Sequence, residues 1–213
     1  MTIRIPNSER DAVLRLYREI LPEIRHRLDE FRGVPPARYF YELCYCLLTP
    51  QSKASVCALA CSELERRGFL QQPFDPESLL RSPGDGYVRF HRVKARRLVR
   101  ARESFPPLAH LFHTSITDRE LRVILSDRIE GLGFKEASHF LRNIGRTGVT
   151  ILDRHILRGM VELGVLRSVP SSMSRTRYEQ IETSFRELAD ALRILPEELD
   201  LLLWSRKTGA ILK

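Results

Sequence analysis

The sequence of 213 residues lacks any long apolar run, and no stretch approaches the ~18 consecutive apolar residues that a membrane-spanning helix needs. Its first residues also lack the apolar core of a signal peptide. We therefore expect a soluble, cytoplasmic protein with no membrane partner. A chain of this length can bury the core of one domain or of two small lobes.

Cysteine is confined to one short part of the sequence. Cys44, Cys46, Cys57 and Cys61 all lie there, and no cysteine follows Cys61. Their C-x-C and C-x3-C spacings could indicate a metal site. Apolar residues alternate with them, however, and a reduced cysteine in such a segment behaves as a small hydrophobic residue. We favour four buried core cysteines and expect no bound metal.

Lysine is scarce in a chain that is rich in arginine. Of the 35 basic residues of these two types only five are lysines, namely Lys53, Lys94, Lys135, Lys207 and Lys213. A lysine amine can lose its proton and become a nucleophile, whereas the guanidinium of arginine in practice cannot. Chance placement is an alternative at any single position. A lysine inside a recognisable motif is nevertheless a candidate nucleophile.

Positive charge exceeds negative charge over the whole chain. The formal net charge is +8 and the pI is near 9.7, which suits a polyanionic partner but is by itself a weak sign of nucleic-acid binding. A basic stretch is formed by His91, Arg92, Arg96, Arg97 and Arg100. Such a run usually lies on a solvated face, and where it meets DNA it mostly contacts phosphate.

Apolar residues recur at helical spacing along nearly the whole chain, and no β-rich block, repeat or low-complexity tract interrupts them. The sequence therefore predicts an all-α fold. The first helix is expected to reach residue 32, with Pro22 kinking or dividing it, and a second helix is expected between Pro36 and Pro50. Further helices are predicted at residues 53–67, 92–103, 118–129, 135–143, 153–163, 174–192 and 196–204.

A short glycine motif separates two of these predicted helices. Gly131 and Gly133 flank Leu132, and Lys135 follows two residues later. The glycines permit a tight hairpin that can approach another molecule closely, because neither carries a Cβ. The free N–H groups of the helix that follows favour an anion such as phosphate. Glycine pairs also occur in ordinary loops, but this pattern is typical of a helix-hairpin-helix DNA-binding element, here at about residues 121–145.

An aspartate follows the motif lysine at a separation of eighteen residues. Asp153 directly precedes a predicted helix, and aspartate at such an N-cap contributes about 1 kcal/mol without any catalytic role. The pairing of this carboxylate with Lys135 suggests instead an active site that removes bases from DNA. Both interpretations of Asp153 stay open at this point.

The motif Gly131-x-Gly133-x-Lys135, followed by LDRHIL at residues 152–157, resembles the lysine-bearing, bifunctional branch of the helix-hairpin-helix superfamily of DNA glycosylases. Within it the chain resembles the short archaeal and bacterial type of 8-oxoguanine DNA glycosylase/lyase. The resemblance includes LLTPQS at 47–52, VRFHRVKA at 88–95 and WSRKTGAILK at 204–213. It implies a single glycosylase unit of two helical lobes with a cleft between them, roughly residues 1–33 with 170–213, and 34–169.

The resemblance also implies a reaction on double-stranded DNA that contains 8-oxoguanine or abasic sites. Lys135 would attack the sugar C1′ as a neutral amine, which requires a lowered pKa or transfer of its proton to the departing base. Asp153 would favour the oxocarbenium-like charge of the sugar. The resulting Schiff base would allow strand cleavage by β-elimination.

No cofactor is expected for this reaction. Some related glycosylases hold an iron–sulfur cluster with four cysteines beyond the catalytic aspartate, and this sequence has none there. We expect a monomer that works on the nucleoid of a prokaryotic cell.

The resemblance assigns the other site residues as well. Gln51, in a turn between two predicted helices, would fill the gap left by the extruded base, although it could also be a solvated turn residue. Trp204, Lys207 and Lys213 would close over that base, although tryptophan is more often a core residue. DNA contacts are expected from Gly131, Leu132, Gly133, His91, Arg92, Arg154 and His155.

Two alternative functions remain open on the sequence. The chain could be a glycosylase for another lesion, although Lys135 argues against a monofunctional one, because those enzymes activate water. It could also be a non-catalytic DNA-binding module that uses the hairpin only to bind phosphate.

Overall fold

A computed structural model of the chain describes residues 5–84 and 86–211. These residues form helices and no strand, so the predicted all-α fold is confirmed. None of the helices they form is long and apolar enough to cross a membrane. The α-helices are α1 (Asn7–Arg32), α2 (Tyr39–Leu48), α3 (Ala54–Arg66), α4 (Glu77–Arg81), α5 (His91–Ser104), α6 (Asp118–Arg128), α7 (Phe134–Asn143), α8 (Arg154–Glu162), α9 (Arg175–Leu192) and α10 (Pro196–Thr208).

The backbone divides into two compact units. The middle unit, Val34–Ile144, contains α2 to α7 and two short 3-10 helices, Pro36–Arg38 and Pro106–His113. The terminal unit combines α1 with the chain from Gly145 onward, which contains α8 to α10. Residues 145–169, which the resemblance led us to place in the middle lobe, group with the terminal unit, because α8 packs on α10 within it.

Helix α1 runs unbroken through Pro22, so this proline does not divide it. A proline inside a helix removes one N–H donor and leaves the carbonyl four residues earlier without its partner. Here that carbonyl belongs to Arg18, and both Arg18 and Pro22 are exposed. Water can therefore satisfy the freed carbonyl, while the opposite face of α1 buries Val13, Ile24 and Leu28.

Helix α2 forms the centre of the middle unit. Every residue from Phe40 to Leu48 is buried, and all of them are apolar or aromatic except Glu42. It packs against α3, α5 and α7, and the helix pair α6 and α7 also packs together. The cysteines Cys44, Cys46, Cys57 and Cys61 are free and buried in this core, so their predicted role as core residues is confirmed.

Helix α10 is the corresponding centre of the terminal unit. It packs against α1, α8 and α9, and it buries Leu199, Leu201 and Leu203. At its start, the buried carboxylate of Glu198 accepts hydrogen bonds from Tyr17 Oη at 2.6 Å and Arg25 Nε at 3.1 Å. These bonds join α1 to α10, and burial together with the neighbouring carboxylate raises the pKa of Tyr17 to about 12.

Candidate active site

The hairpin between α6 and α7 is built from backbone turns. Gly131 has φ of 88°, in the region that favours glycine, and a Cβ there would lie 2.5 Å from Cδ of Arg97. Leu132 is buried, and its N–H donates to the carbonyl of Ile129 at 3.1 Å. The predicted arrangement of helix, hairpin and helix is therefore confirmed. The buried side chain of Leu132 anchors the hairpin in the core, between the two glycines.

Lys135 lies in the first turn of α7, directly after the hairpin. Gly133 is the N-cap of this helix, and its carbonyl accepts the N–H of Ala137 at 2.8 Å. The Lys135 side chain is 32% exposed, and its Nζ lies 3.0 Å from Oε1 of Glu136. The ammonium is thus held beside a carboxylate at a helix N-terminus. We did not anticipate Glu136, whose only sequence signal is an acidic residue in a first helical turn.

Gln51 lies in the turn between α2 and α3, as predicted. Its backbone is left-handed, with φ of 58°, and its side chain is exposed. The turn is closed by a hydrogen bond from Ser52 N–H to the carbonyl of Thr49 at 3.0 Å. A left-handed non-glycine residue is uncommon and is held by its surroundings rather than by its own preference. The turn therefore presents an outward-facing amide in a fixed backbone geometry.

His91 and Arg92, which we predicted to contact DNA, are the first two residues of helix α5. His91 is half-buried, and Arg92 is exposed with Nε 3.3 Å from Oε1 of Glu77. The N-cap of α5 is Phe90, whose φ of 59° is also left-handed and whose ring is 55% exposed. The middle unit thus carries Gln51, His91, Arg92 and the Gly131–Lys135 segment.

Asp153 is the N-cap of α8, and this predicted structural role is confirmed. Its Oδ1 accepts the N–H of Ile156 at 2.8 Å, and the residue is half-buried. The other carboxylate oxygen is not needed for that bond. Capping and a chemical role are therefore compatible, because a carboxylate has two oxygens and four lone-pair sites.

Two buried side chains of α9 fix the backbone that leads to Asp153. The hydroxyl of Tyr178 donates to the carbonyl of Thr150 at 2.7 Å and accepts the N–H of Leu152 at 3.0 Å. Oε1 of Glu182 accepts the N–H of Thr150 at 2.7 Å. These residues were not predicted, because neither contact follows from local sequence.

The residues expected to recognise the base also lie in the terminal unit. The rings of His155 and Trp204 meet edge to face, with centroids 6.2 Å apart, and Trp204 is half-buried. The ammonium of Lys207 pairs with the carboxylate of Glu162. Arg154 is exposed at the start of α8. Lys213 lies outside the described residues.

Residues 5–84 and 86–211 contain no group of three or more His, Cys, Asp or Glu side chains that could hold a metal ion. Among the cysteines, Cys57 donates from Sγ to the carbonyl of Leu48 at 3.3 Å. Burial raises the pKa of this thiol to about 11, so it remains protonated at neutral pH.

Substitution of the two hairpin glycines should have unequal effects. Gly131→Ala should lower the free energy of unfolding by about 1–2 kcal/mol, because alanine resists a positive φ and its Cβ must displace Arg97. Gly133→Ala is the matched control. It should stay within about 0.5 kcal/mol of the wild type, because φ is −78° and only the flexible Glu136 carboxylate must move. Urea denaturation measures the free energy of unfolding of both variants. Equal losses would contradict the conclusion that only Gly131 requires glycine.

Removal of the Tyr178 hydroxyl should destabilise the chain. Tyr178→Phe leaves the Thr150 carbonyl and the Leu152 N–H without a partner in a buried place, which should cost about 1–3 kcal/mol in the free energy of unfolding. Tyr87→Phe is the control, because its ring is 60% exposed and the change should cost less than about 0.5 kcal/mol. Urea unfolding of the three proteins would refute this account if the two losses were equal.

The sequence and the fold of this chain are both similar to those of known DNA glycosylases. The sequence model of the 8-oxoguanine DNA glycosylase family matches residues 24–194. The 8-oxoguanine DNA glycosylase/AP lyase of Methanocaldococcus jannaschii is 35% identical over 92% of this chain and 94% of its own length. The crystal structure of the Thermotoga maritima 8-oxoguanine DNA glycosylase superposes with a TM-score of 0.84 at 31% identity, covering 96% of this chain and 98% of that one.

A further solved structure is the M. jannaschii 8-oxoguanine glycosylase/lyase in complex with a 15mer DNA containing 8-oxoguanine. It superposes with a TM-score of 0.84 at 32% identity, covering 95% of this chain and all of that one. The similarity in sequence and in the arrangement of helices extends over nearly the whole length of the chain. The chain has the helix-hairpin-helix glycosylase fold and belongs to the 8-oxoguanine DNA glycosylase family.

Proposed function

We propose that this protein excises 8-oxoguanine from double-stranded DNA and then cleaves the strand at the abasic site. The observation that carries the proposal is Lys135, a partly exposed amine in the first turn of the helix that follows the Gly131-Leu132-Gly133 hairpin. The relatives of this chain are 8-oxoguanine DNA glycosylase/AP lyases, which supports the proposal. The protein is proposed to act as a monomer on nucleoid DNA in the cytoplasm.

The hairpin is proposed to bind the DNA backbone near the damaged nucleotide. The N-terminus of α7 carries the positive end of the helix dipole, and the side chain of Arg97, which packs against Gly131, adds a positive charge beside the hairpin. Most of the affinity would come from such phosphate contacts and from arginines, and it would fall as salt rises. The hairpin would thereby hold the strand beside Lys135.

Base removal requires the damaged nucleotide to leave the base stack of the DNA duplex, at a cost of a few kcal/mol. The exposed amide of Gln51 is proposed to take the place of the extruded base. In the terminal unit, the indole of Trp204 is proposed to stack on that base, with His155 behind it, edge to face. Lys207 and Lys213 are proposed to assist recognition of the base.

Lys135 is proposed to attack C1′ of the sugar as a neutral amine. The C1′–N9 bond breaks, and the base departs with its electron pair and takes up a proton. The ammonium of Lys135 pairs with Oε1 of Glu136 at 3.0 Å, so it must leave this pair and lose a proton to become a nucleophile, and that proton is proposed to pass to the departing base. The C1′–O4′ bond of the resulting aminal then breaks, with O4′ taking up the proton that the lysine nitrogen gives up, and the Schiff base forms. Loss of the C2′ proton from this Schiff base expels the 3′ phosphate, which cleaves the strand.

Asp153 is proposed to favour the positive charge that develops on the sugar as the base leaves. Its Oδ1 is engaged by the N–H of Ile156, and the second oxygen supplies the negative charge. The contacts of Tyr178 and Glu182 to residues 150 and 152 keep this carboxylate in one position.

Lys135→Gln should abolish both base release and strand cleavage, because glutamine cannot form a Schiff base. Affinity for duplex DNA should stay within about tenfold of the wild type, because one amine is removed from a broad electrostatic footprint. Borohydride trapping on a duplex with one 8-oxoguanine is the measurement. The wild type and the exposed-lysine control Lys53→Gln should give the covalent adduct.

The trapping experiment separates the alternatives. An adduct that persists in Lys135→Gln would mean that another amine is the nucleophile. Base release by the wild type without any adduct would indicate a monofunctional glycosylase, and binding without base release would indicate a DNA-binding module.

Asp153→Asn should lower the single-turnover rate of base release by at least about a hundredfold, because the negative charge beside the sugar is lost. Folding should change little, because asparagine is also a good N-cap and can still accept the N–H of Ile156. Rapid-quench kinetics and thermal unfolding measure the two effects. Activity that survives within about threefold would show that Asp153 only caps α8.

A further inference from the structure

Lys94, on α5, is a buried lysine to which the proposed reaction gives no role. Only 2% of the residue is exposed, and its Nζ donates to three acceptors. The carbonyl of Leu48 lies at 2.6 Å, the carbonyl of Pro50 at 2.7 Å and Oγ of Ser52 at 3.0 Å. An ammonium has three donors, so the three contacts satisfy it completely.

The charge of Lys94 is retained at neutral pH in spite of this burial. Burial lowers the pKa of the amine to about 8, and the positive charges of Arg97 and Arg89 act in the same direction. Burying a charged group is costly unless it is fully hydrogen-bonded. The three acceptors meet that condition, and they all belong to one short segment of chain.

That segment is the turn that presents Gln51. The carbonyls of Leu48 and Pro50 and the side chain of Ser52 bracket the left-handed residue on both sides. Ser52 Oγ also accepts the N–H of Arg89 at 3.0 Å, next to the second left-handed residue, Phe90. The Lys94 ammonium therefore links the two strained positions of the middle unit that carry exposed side chains.

We propose that Lys94 is a positioning residue, whose ammonium holds the turn of residues 49–52 in the geometry that inserts Gln51 into the gap left by the extruded base. This inference rests on the proposed function. Lys94 touches neither the base nor the sugar and acts only through the turn. Without its three donors the turn would have to lose the left-handed geometry, or leave the Pro50 carbonyl unpaired and the Leu48 carbonyl with only the weak thiol donor of Cys57.

A role limited to supporting the fold is the competing explanation, and Cys57 provides its control. The Cys57 thiol, on α3, donates to the same Leu48 carbonyl and also interacts with the side chain of Ser52. Cys57→Ala removes buried volume and one weak hydrogen bond at the same place while leaving the Lys94 contacts intact. Cys57→Ala therefore reports the effect of lower stability alone, and Lys94→Met reports that effect together with loss of the turn geometry.

The test is a double-mutant cycle between Lys94→Met and Gln51→Ala, measured as single-turnover excision of 8-oxoguanine from duplex DNA. The amount of active enzyme in each preparation is measured from the yield of the borohydride-trapped adduct, and rates are expressed per active molecule. Each single variant should lose about tenfold to a hundredfold, and the double variant should be no slower than Gln51→Ala alone, because both remove the same function. Cleavage at a preformed abasic site should fall by less than about threefold, since no base must leave the stack.

Ser52→Ala is the milder second variant, because it removes one of the three acceptors and keeps both carbonyl contacts. It should lose several-fold in excision and should also show no added loss in the Gln51→Ala background. Cys57→Ala should match wild-type excision per active molecule. Multiplicative losses in the cycle, wild-type excision by Lys94→Met or by Gln51→Ala, or equal losses at the abasic site would each overturn the proposal.

Amide hydrogen exchange tests the turn without any substrate. The Arg89 amide, bonded to Ser52 Oγ, should exchange at least about tenfold faster in Lys94→Met than in Cys57→Ala, because the hydroxyl loses its anchor. Unchanged protection would overturn the inference. If the wild type fails to act on 8-oxoguanine DNA, the proposed function fails by itself, and this exchange measurement still decides whether Lys94 fixes the turn.

Discussion

The unpaired backbone groups at helix ends are the constraint on which the candidate site depends. The first N–H groups of a helix have no partner within it and must find one in a side chain, a turn or a bound anion. Lys135 follows such an end at Gly133, Asp153 forms one, and His91 begins another. A residue at a helix end is anchored on one side by the helix and is open on the other, which suits contact with a charged substrate.

The same constraint explains why buried polar residues surround these ends. Each carbonyl or N–H in the segments before α3 and α8 that leaves the helical pattern needs a substitute partner. Lys94 supplies it for the turn that carries Gln51, and Tyr178 and Glu182 supply it for the segment before Asp153. Side chains on neighbouring helices thereby fix the backbone of these two segments.

Local signals in the sequence were sufficient for part of this structure. The glycine hairpin, the cap at Asp153 and the burial of Cys44 depend on residues close in sequence and could be predicted. The partners of Lys94 and Tyr178 lie 26 to 46 residues away, and no periodicity reveals them. Grouping of residues 145–169 with the terminal unit likewise depends on packing of α8 against a distant helix.

Two lysines of this arginine-rich chain show why the residue is kept. At Lys94 a compact ammonium fits three acceptors that converge on one point, whereas the planar fork of a guanidinium would need acceptors in one plane. At Lys135 the side chain is partly exposed, and its ammonium pairs with the carboxylate of Glu136. The first position uses the ammonium as a hydrogen-bond donor, whereas the nucleophile that we propose at the second must give up a proton. Burial among acceptors therefore distinguishes a lysine that holds structure from one that is free to react.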